Sequence, residues 1–156
     1  KIAKRAQAFD MQIGYHNRRV RPEFDYQYFE DALTLARWCD VLVCAMPGGA
    51  ATRHMVDEHV LREIGPEGYL VNVGRGSIVD TQALAAALKS ASIAGAALDV
   101  YESEPAPPQE LIDLDRLLLS PHVGGWSPEA IDAQFSIFLE NLNCVFSGKD
   151  PVTAVY

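Results

Sequence analysis

The chain has 156 residues, 49% of them apolar, with 13 basic side chains against 21 acidic ones and a formal charge of -8. That length and apolar share suffice for one domain core, and the acidic balance excludes a binder of nucleic-acid backbones, which needs a basic patch. No apolar run approaches the roughly 20 residues of a membrane-spanning helix, and the opening KIAKRAQAFDM lacks the apolar core of a signal peptide, so a cytoplasmic chain with no membrane and no nucleic-acid partner is expected.

In chain order, Ile2, Ala3, Ala6 and Phe9 fall at helical spacing, and MQIGYH reads as a short strand. YFEDALTLARWCD predicts a helix with an acidic first turn, and VLVCAMP a strand buried on both faces and ended by proline. DEHVLREI is a helix with Asp57 as its cap, PEG a breaker, YLVNVG a strand, and DTQALAAALKS a helix capped by Asp80. IAGAALDV is a further strand; the polar, Pro-rich YESEPAPPQE and the short apolar RLLLSPH follow it. SPEAIDAQFSIFLENLNCVFSG closes the series as a helix with Ser127 at the N-cap, Pro128 at the first helical position and Gly148 past the end. Strands alternating with helices at this spacing predict an α/β fold, a doubly wound parallel sheet with helices on both faces. Cys39, Cys44 and Cys144 are odd in number, lie in apolar stretches and lack metal-ligand spacing, so reduced, buried thiols and no metal site are expected.

Ligands of such sheets bind outside the carboxyl ends of the strands. Arg75 follows YLVNV, Asp99 follows IAGAAL and His122 follows RLLLSP, so three polar groups converge on one sheet edge. The glycines beside Arg75 allow unusual backbone angles and close approach of a ligand. The guanidinium then serves either an anionic substrate, as a bidentate carboxylate partner, or a structural acid such as Asp99. His122 stands between Pro121 and the pair Gly124 and Gly125, a setting for an exposed imidazole. DVYESEP offers Glu102 and Glu104 as carboxylates that would orient it and favour its proton-donating form. His16, His54 and His59 read as ordinary surface or helix-end residues.

The ordered segments CAMPGGAATRHMVDEHVL, VNVGRGSIVD, IAGAALDVYESEP and LLLSPHVGG resemble the cofactor domain of the D-isomer-specific 2-hydroxyacid dehydrogenases. The resemblance covers residues 1–150 and implies a Rossmann-like NAD(P)-binding domain. It implies hydride transfer between C4 of a nicotinamide and C2 of a small 2-oxo acid of the glyoxylate or hydroxypyruvate kind. Arg75 would hold the substrate carboxylate and carbonyl, His122 would be the acid/base catalyst, and Glu104, immediately before Pro105, would be its partner rather than Glu102. A glutamine in place of Glu104 would have pointed to formate oxidation. Asp99 would contact the nicotinamide carboxamide, and Val73, Gly74 and Gly125 would approach the cofactor with their backbones, bordered by Arg75 and His122. Met46, Pro47 and Thr52 would lie along its adenosine and pyrophosphate side. The cofactor domains of two copies would pair as a homodimer.

The sequence departs from the family pattern at several points. No G-x-G-x-x-G occurs, and residues 1–10 read as the helix that should follow it. The first strand, its phosphate-binding turn and the substrate domain are therefore expected to be missing, with residues 151–156 starting the return toward that domain and the parent protein roughly twice as long. Trp126 stands where the family usually has a small residue, and reads as a packing or interface aromatic. A cofactor-sensing corepressor or a dimerisation module of the same fold is the alternative to an enzyme. The end of the second strand of such a domain meets the adenosine ribose, and there the sequence has HNRR with no carboxylate. Asn17, Arg18 and Arg19 are accordingly expected to meet a 2′-phosphate, so NADP is the expected cofactor and NAD the alternative.

Overall fold

The computed structural model describes residues 1–154; Val155 and Tyr156, the end of the 151–156 segment, lie outside the described residues. The chain divides into two compact units, Lys1–Pro121 and a second beginning at His122.

The first unit opens with α1 (Ile2–Ala6), β1 (Gly14–His16) and β2 (Gln27–Phe29), the two strands pairing in parallel. The second strand is a correction to the helix expected from Tyr28 onward. Asp31 is in extended conformation and accepts the amide N–H of Thr34 at 2.7 Å, so α2 runs Ala32–Trp38, with no acidic residue in its first turn. The N-cap decides the boundary: Tyr28 and Phe29 lie upstream of it and are free to pair as a strand. Next come β3 (Val41–Cys44), α3 (Glu58–Ile64), β4 (Tyr69–Asn72), α4 (Thr81–Lys89), β5 (Gly95–Leu98) and β6 (Leu117–Leu119). Asp57 caps α3 through the amides of His59 and Val60, and Asp80 caps α4 through those of Gln82 and Ala83, as the sequence predicts.

Strands β3 to β6 form one sheet in chain order, every pair parallel. Leu42, Leu70 and Ala96 share one row of it, and Cys44, Asn72 and Leu98 the next. These side chains are buried against Ala36 of α2, Val60, Leu61 and Ile64 of α3, and Leu84 and Leu88 of α4. The opposite face differs from the expectation of a strand buried on both sides. Val43 on β3 is 36% exposed and Leu118 on β6 is 74% exposed, because α2, α3 and α4 all join the core on the other side of the sheet. Cys44 is buried while Cys39 and Cys144 are half-buried.

The second unit is dominated by α5 (Pro128–Phe146), capped by Ser127 through the amide of Ala130, with Gly148 beyond its end at φ +69°. None of its residues is buried within that unit, and Trp126 is 77% exposed. No helix among the described residues is long and apolar enough to cross a membrane.

Candidate functional site

Because β3 to β6 are parallel, their carboxyl ends open on one edge, and the register puts Cys44, Asn72 and Leu98 side by side there. The segments that leave this edge carry the polar groups. Asn72, completely buried, holds the first of them: its Oδ1 accepts the amide N–H of Gly74 at 3.0 Å and its Nδ2 donates to the carbonyl of Arg75 at 2.9 Å. A buried amide with both ends satisfied by the turn's own backbone fixes that turn. Neither Gly74 nor Gly76 has a positive φ, so the expected unusual backbone angles are absent. Their role is close approach. A Cβ on Gly76 would stand 1.9 Å from the carbonyl carbon of Tyr101, and one on Gly74 2.6 Å from the carbonyl oxygen of Met46.

Arg75 is exposed, and its Nη1 donates to the carbonyl of Gly74 at 2.7 Å. No carboxylate among the described residues pairs with it. The alternative of a structural pair with Asp99 is thereby corrected: Asp99 is buried at the end of β5 and accepts the Ser120 hydroxyl at 2.7 Å. A guanidinium in this state retains its remaining donors for an incoming anion.

Gly76 lies against the loop that follows β5. Glu104 there accepts the amide N–H of Tyr101 at 2.6 Å, and the Glu104–Pro105 peptide is cis. The Tyr101 phenol donates to the Ser120 carbonyl; burial and the neighbouring Asp99 and Glu104 push it above its ordinary value. A cavity of about 460 Å³ is lined by Pro47, Gly48, Arg75, Gly76, Tyr101, Glu102 and Glu104, among others. Arg75 and Glu104 thus line one cavity, and Pro47 joins them on this side. Thr52 donates its hydroxyl to the Pro47 carbonyl at 3.0 Å, and Val73 is exposed at the end of β4.

His54 is not the ordinary residue its local sequence predicts. Its Nε2 lies 2.7 Å from Glu102 Oε1 and its Nδ1 3.6 Å from Asp80 Oδ2. Glu102 also accepts the amide and hydroxyl of Thr81, at 3.3 and 3.0 Å, and pairs with Arg53 at 3.4 Å. Burial alone would raise the Glu102 carboxyl; the bonds from His54 and Thr81 outweigh it and hold it below the ordinary carboxylate range. The partners of His54 are distant in sequence, so only the paired carboxylates of DVYESEP hinted at an imidazole partner.

Asn17, Arg18 and Arg19 occupy an exposed turn after β1. Two phenols pin it: Tyr15 Oη accepts the Arg21 amide at 2.9 Å, and Tyr28 Oη donates to the Asn17 carbonyl at 3.3 Å. Neither Arg18 nor Arg19 enters an ion pair among the described residues. His122 and Gly125 belong to the second unit, where both are exposed and His122 adopts φ +55°. No cluster of three metal-ligating side chains occurs among the described residues.

Residues 1–124 match the family model described as D-isomer specific 2-hydroxyacid dehydrogenase, NAD binding domain. Glyoxylate/hydroxypyruvate reductase A HPR2 of Arabidopsis thaliana is 44% identical over 99% of this chain and 49% of its own length. Hydroxyphenylpyruvate reductase of Plectranthus scutellarioides is 39% identical over the same shares. The NADPH-dependent glyoxylate/hydroxypyruvate reductase of Sinorhizobium meliloti, solved in complex with NADP and malonate, superposes with a TM-score of 0.93 at 40% identity, over 99% of this chain and 48% of that one. The chain spans about half the length of the curated relatives it matches. With the model matched over most of its residues and the Rossmann-like order of parallel strands in place, the chain belongs to the D-isomer-specific 2-hydroxyacid dehydrogenase family.

Proposed function

We propose that the protein containing this chain reduces a small 2-oxo acid, glyoxylate or hydroxypyruvate, to the D-2-hydroxy acid with NADPH. The observation that carries this reading is the exposed guanidinium of Arg75, ion-paired with no described carboxylate and lining one cavity with Glu104. Arg75 holds the substrate carboxylate and polarises the carbonyl to be reduced. His122 donates a proton to the carbonyl oxygen as charge develops there, and Glu104 orients its imidazole. The donors on this chain fit a dinucleotide bearing a 2′-phosphate, since Arg18 and Arg19 are exposed beside Asn17 with no acid among them. Asp99, Met46, Thr52, Val73, Gly74 and Gly125 are proposed to line the rest of the cofactor, with NAD as the weaker ligand. When bound, the nicotinamide supplies the hydride. The NADPH dependence of the Sinorhizobium meliloti relative supports this choice.

Residues 1–150 are read as the NAD(P)-binding domain and 151–156 as the return to a substrate domain. Among the described strands β1 pairs only with β2 and β3 only with β4, which leaves β1 and β3 each one unpaired edge. Exposed Phe135, Phe138 and Trp126 are the material for pairing two copies.

The test is turnover by the full-length protein of NADPH and NADH with glyoxylate and with hydroxypyruvate. Oxidation of NADPH in preference to NADH is expected, and replacing Arg18 and Arg19 by Ala should raise the KM for NADPH by about tenfold or more with little change for NADH. Absence of turnover with either acid overturns the activity, and equal losses for the two cofactors overturn the phosphate reading.

A further inference from the structure

Glu102 lines the same cavity as Arg75, and an ionised carboxylate there is a competitor for the guanidinium that a substrate anion must reach. Its charge is engaged elsewhere. Oε1 faces His54 Nε2 at 2.7 Å and Arg53 Nη1 at 3.4 Å, and Oε2 takes both donors of Thr81. Of these, the His54 contact is the shortest.

The backbone of His54 is committed as firmly as its ring. Its amide donates to the carbonyl of Ser77 at 2.8 Å, and two residues on Val56 continues the pairing, donating to Ile78 at 3.0 Å and accepting from Asp80 at 3.0 Å. Residues 54–56 therefore run along the segment that leaves the Arg75 turn. On its other side that turn touches the Glu102 backbone, whose nitrogen lies 2.4 Å from where a Cβ on Gly76 would stand. His54 thus joins the arginine turn through its main chain and the glutamate loop through its side chain. It holds φ at +50° to do so, a left-handed conformation that a non-glycine residue keeps only where its surroundings over-determine it. The charged groups facing the ring are Glu102 and Asp80, with Arg53 beside it.

We propose that His54 is a positioning residue that sequesters the Glu102 carboxylate from Arg75, and so reserves the guanidinium for the substrate anion. This rests on the reading of Arg75 as the substrate's carboxylate partner. Released from His54, Glu102 would turn toward the nearest unpaired cation lining its cavity, and the substrate would have to displace it.

The experiment uses four full-length proteins: wild type, His54→Asn, His54→Gln and the double variant His54→Asn with Glu102→Gln. Asparagine tolerates the left-handed backbone but is too short to reach Glu102, whereas glutamine reaches it with an amide N–H. KM and kcat are measured for glyoxylate, and the Kd for oxalate, a dianion resembling the carboxylate and carbonyl of a 2-oxo acid, is measured by calorimetry. His54→Asn should raise both KM and the oxalate Kd by about tenfold with kcat within about threefold. His54→Gln should stay close to wild type. Adding Glu102→Gln to His54→Asn should restore both constants, because the competing charge is gone. A merely structural role for His54 predicts the opposite, a double variant no better than the single one. That outcome, or an unchanged oxalate Kd in His54→Asn, overturns the proposal. If wild type binds oxalate but turns over neither 2-oxo acid, the proposed activity fails while the four oxalate constants still decide this inference.

Discussion

The middle of the chain and its two flanks are built on different terms. Every buried side chain among the described residues lies between Ala36 and Leu111, and none lies in residues 1–35 or 112–154. The middle carries Arg75, Asp99 and Glu104, the flanks Arg18, Arg19 and His122. The cavity that joins Arg75 and Glu104 therefore rests on strands and caps that are fixed by packing, whereas Arg18 and Arg19 sit on an exposed turn pinned by surface hydrogen bonds and His122 is exposed in the second unit. Substrate positioning and proton transfer are accordingly expected to respond to mutation in separable ways.

The sharpest way to break that comparison is His122→Ala in the full-length protein. His122 is exposed, so no core contact is lost. Its removal should cut kcat by about 10²- to 10⁴-fold, the usual share of a general acid, with the melting temperature falling by far less than a core truncation would lower it. Steady-state kinetics beside a thermal melt decides it. Near-normal turnover removes His122 from the mechanism, and a large fall in Tm removes the separation of middle from flank.

A stability pair sharpens the same contrast. Leu70 is completely buried at the centre of β4 and Phe9 is 80% exposed. Leu70→Ala should cost about 2–5 kcal/mol, as cavity-forming substitutions do, while Phe9→Ala should stay within about 0.5 kcal/mol. Urea denaturation of both variants gives the comparison, and equal losses would mean that the N-terminal segment contributes to a core as fully as the middle does.

What was legible in the sequence follows the range of the forces involved. Asp57, Asp80 and Ser127 were readable as caps because each bonds amides two or three residues away. The runs VLVC, YLVN and GAAL were readable as strands because their apolar content is local. β2 was hidden because its aromatic residues sit just ahead of a helix cap, so one apolar stretch serves two elements. His54 was hidden because its partners are 26 and 48 residues away in Asp80 and Glu102. Asn72 was hidden because a polar residue at a strand end gives no sign that it clamps the turn beyond it. Of the two reasons the sequence offers for the glycines beside Arg75, unusual angles are absent and close approach is realised, against protein backbone: sequence marks a position that tolerates no side chain, but not whether angle or space forbids one.

The gentlest probe of the contrast changes no residue at all. Cys44 on β3 is 2% exposed, and burial pushes its thiol up to about 12. Desolvation disfavours the charged form, so the sign is toward the neutral thiol, and at pH 8 only about one molecule in 10⁴ carries the thiolate that reacts. Cys144 on α5 is half-buried, in a helix with no buried residue. In native protein at pH 8, iodoacetamide should modify Cys144 while leaving Cys44 untouched, and Cys44 should react only as urea unfolds the middle of the chain. Peptide mapping by mass spectrometry along a urea titration reads both sites in one sample. Labelling of Cys44 below the global transition would show that the sheet opens locally at β3, and the middle would then be no more firmly held than the flanks.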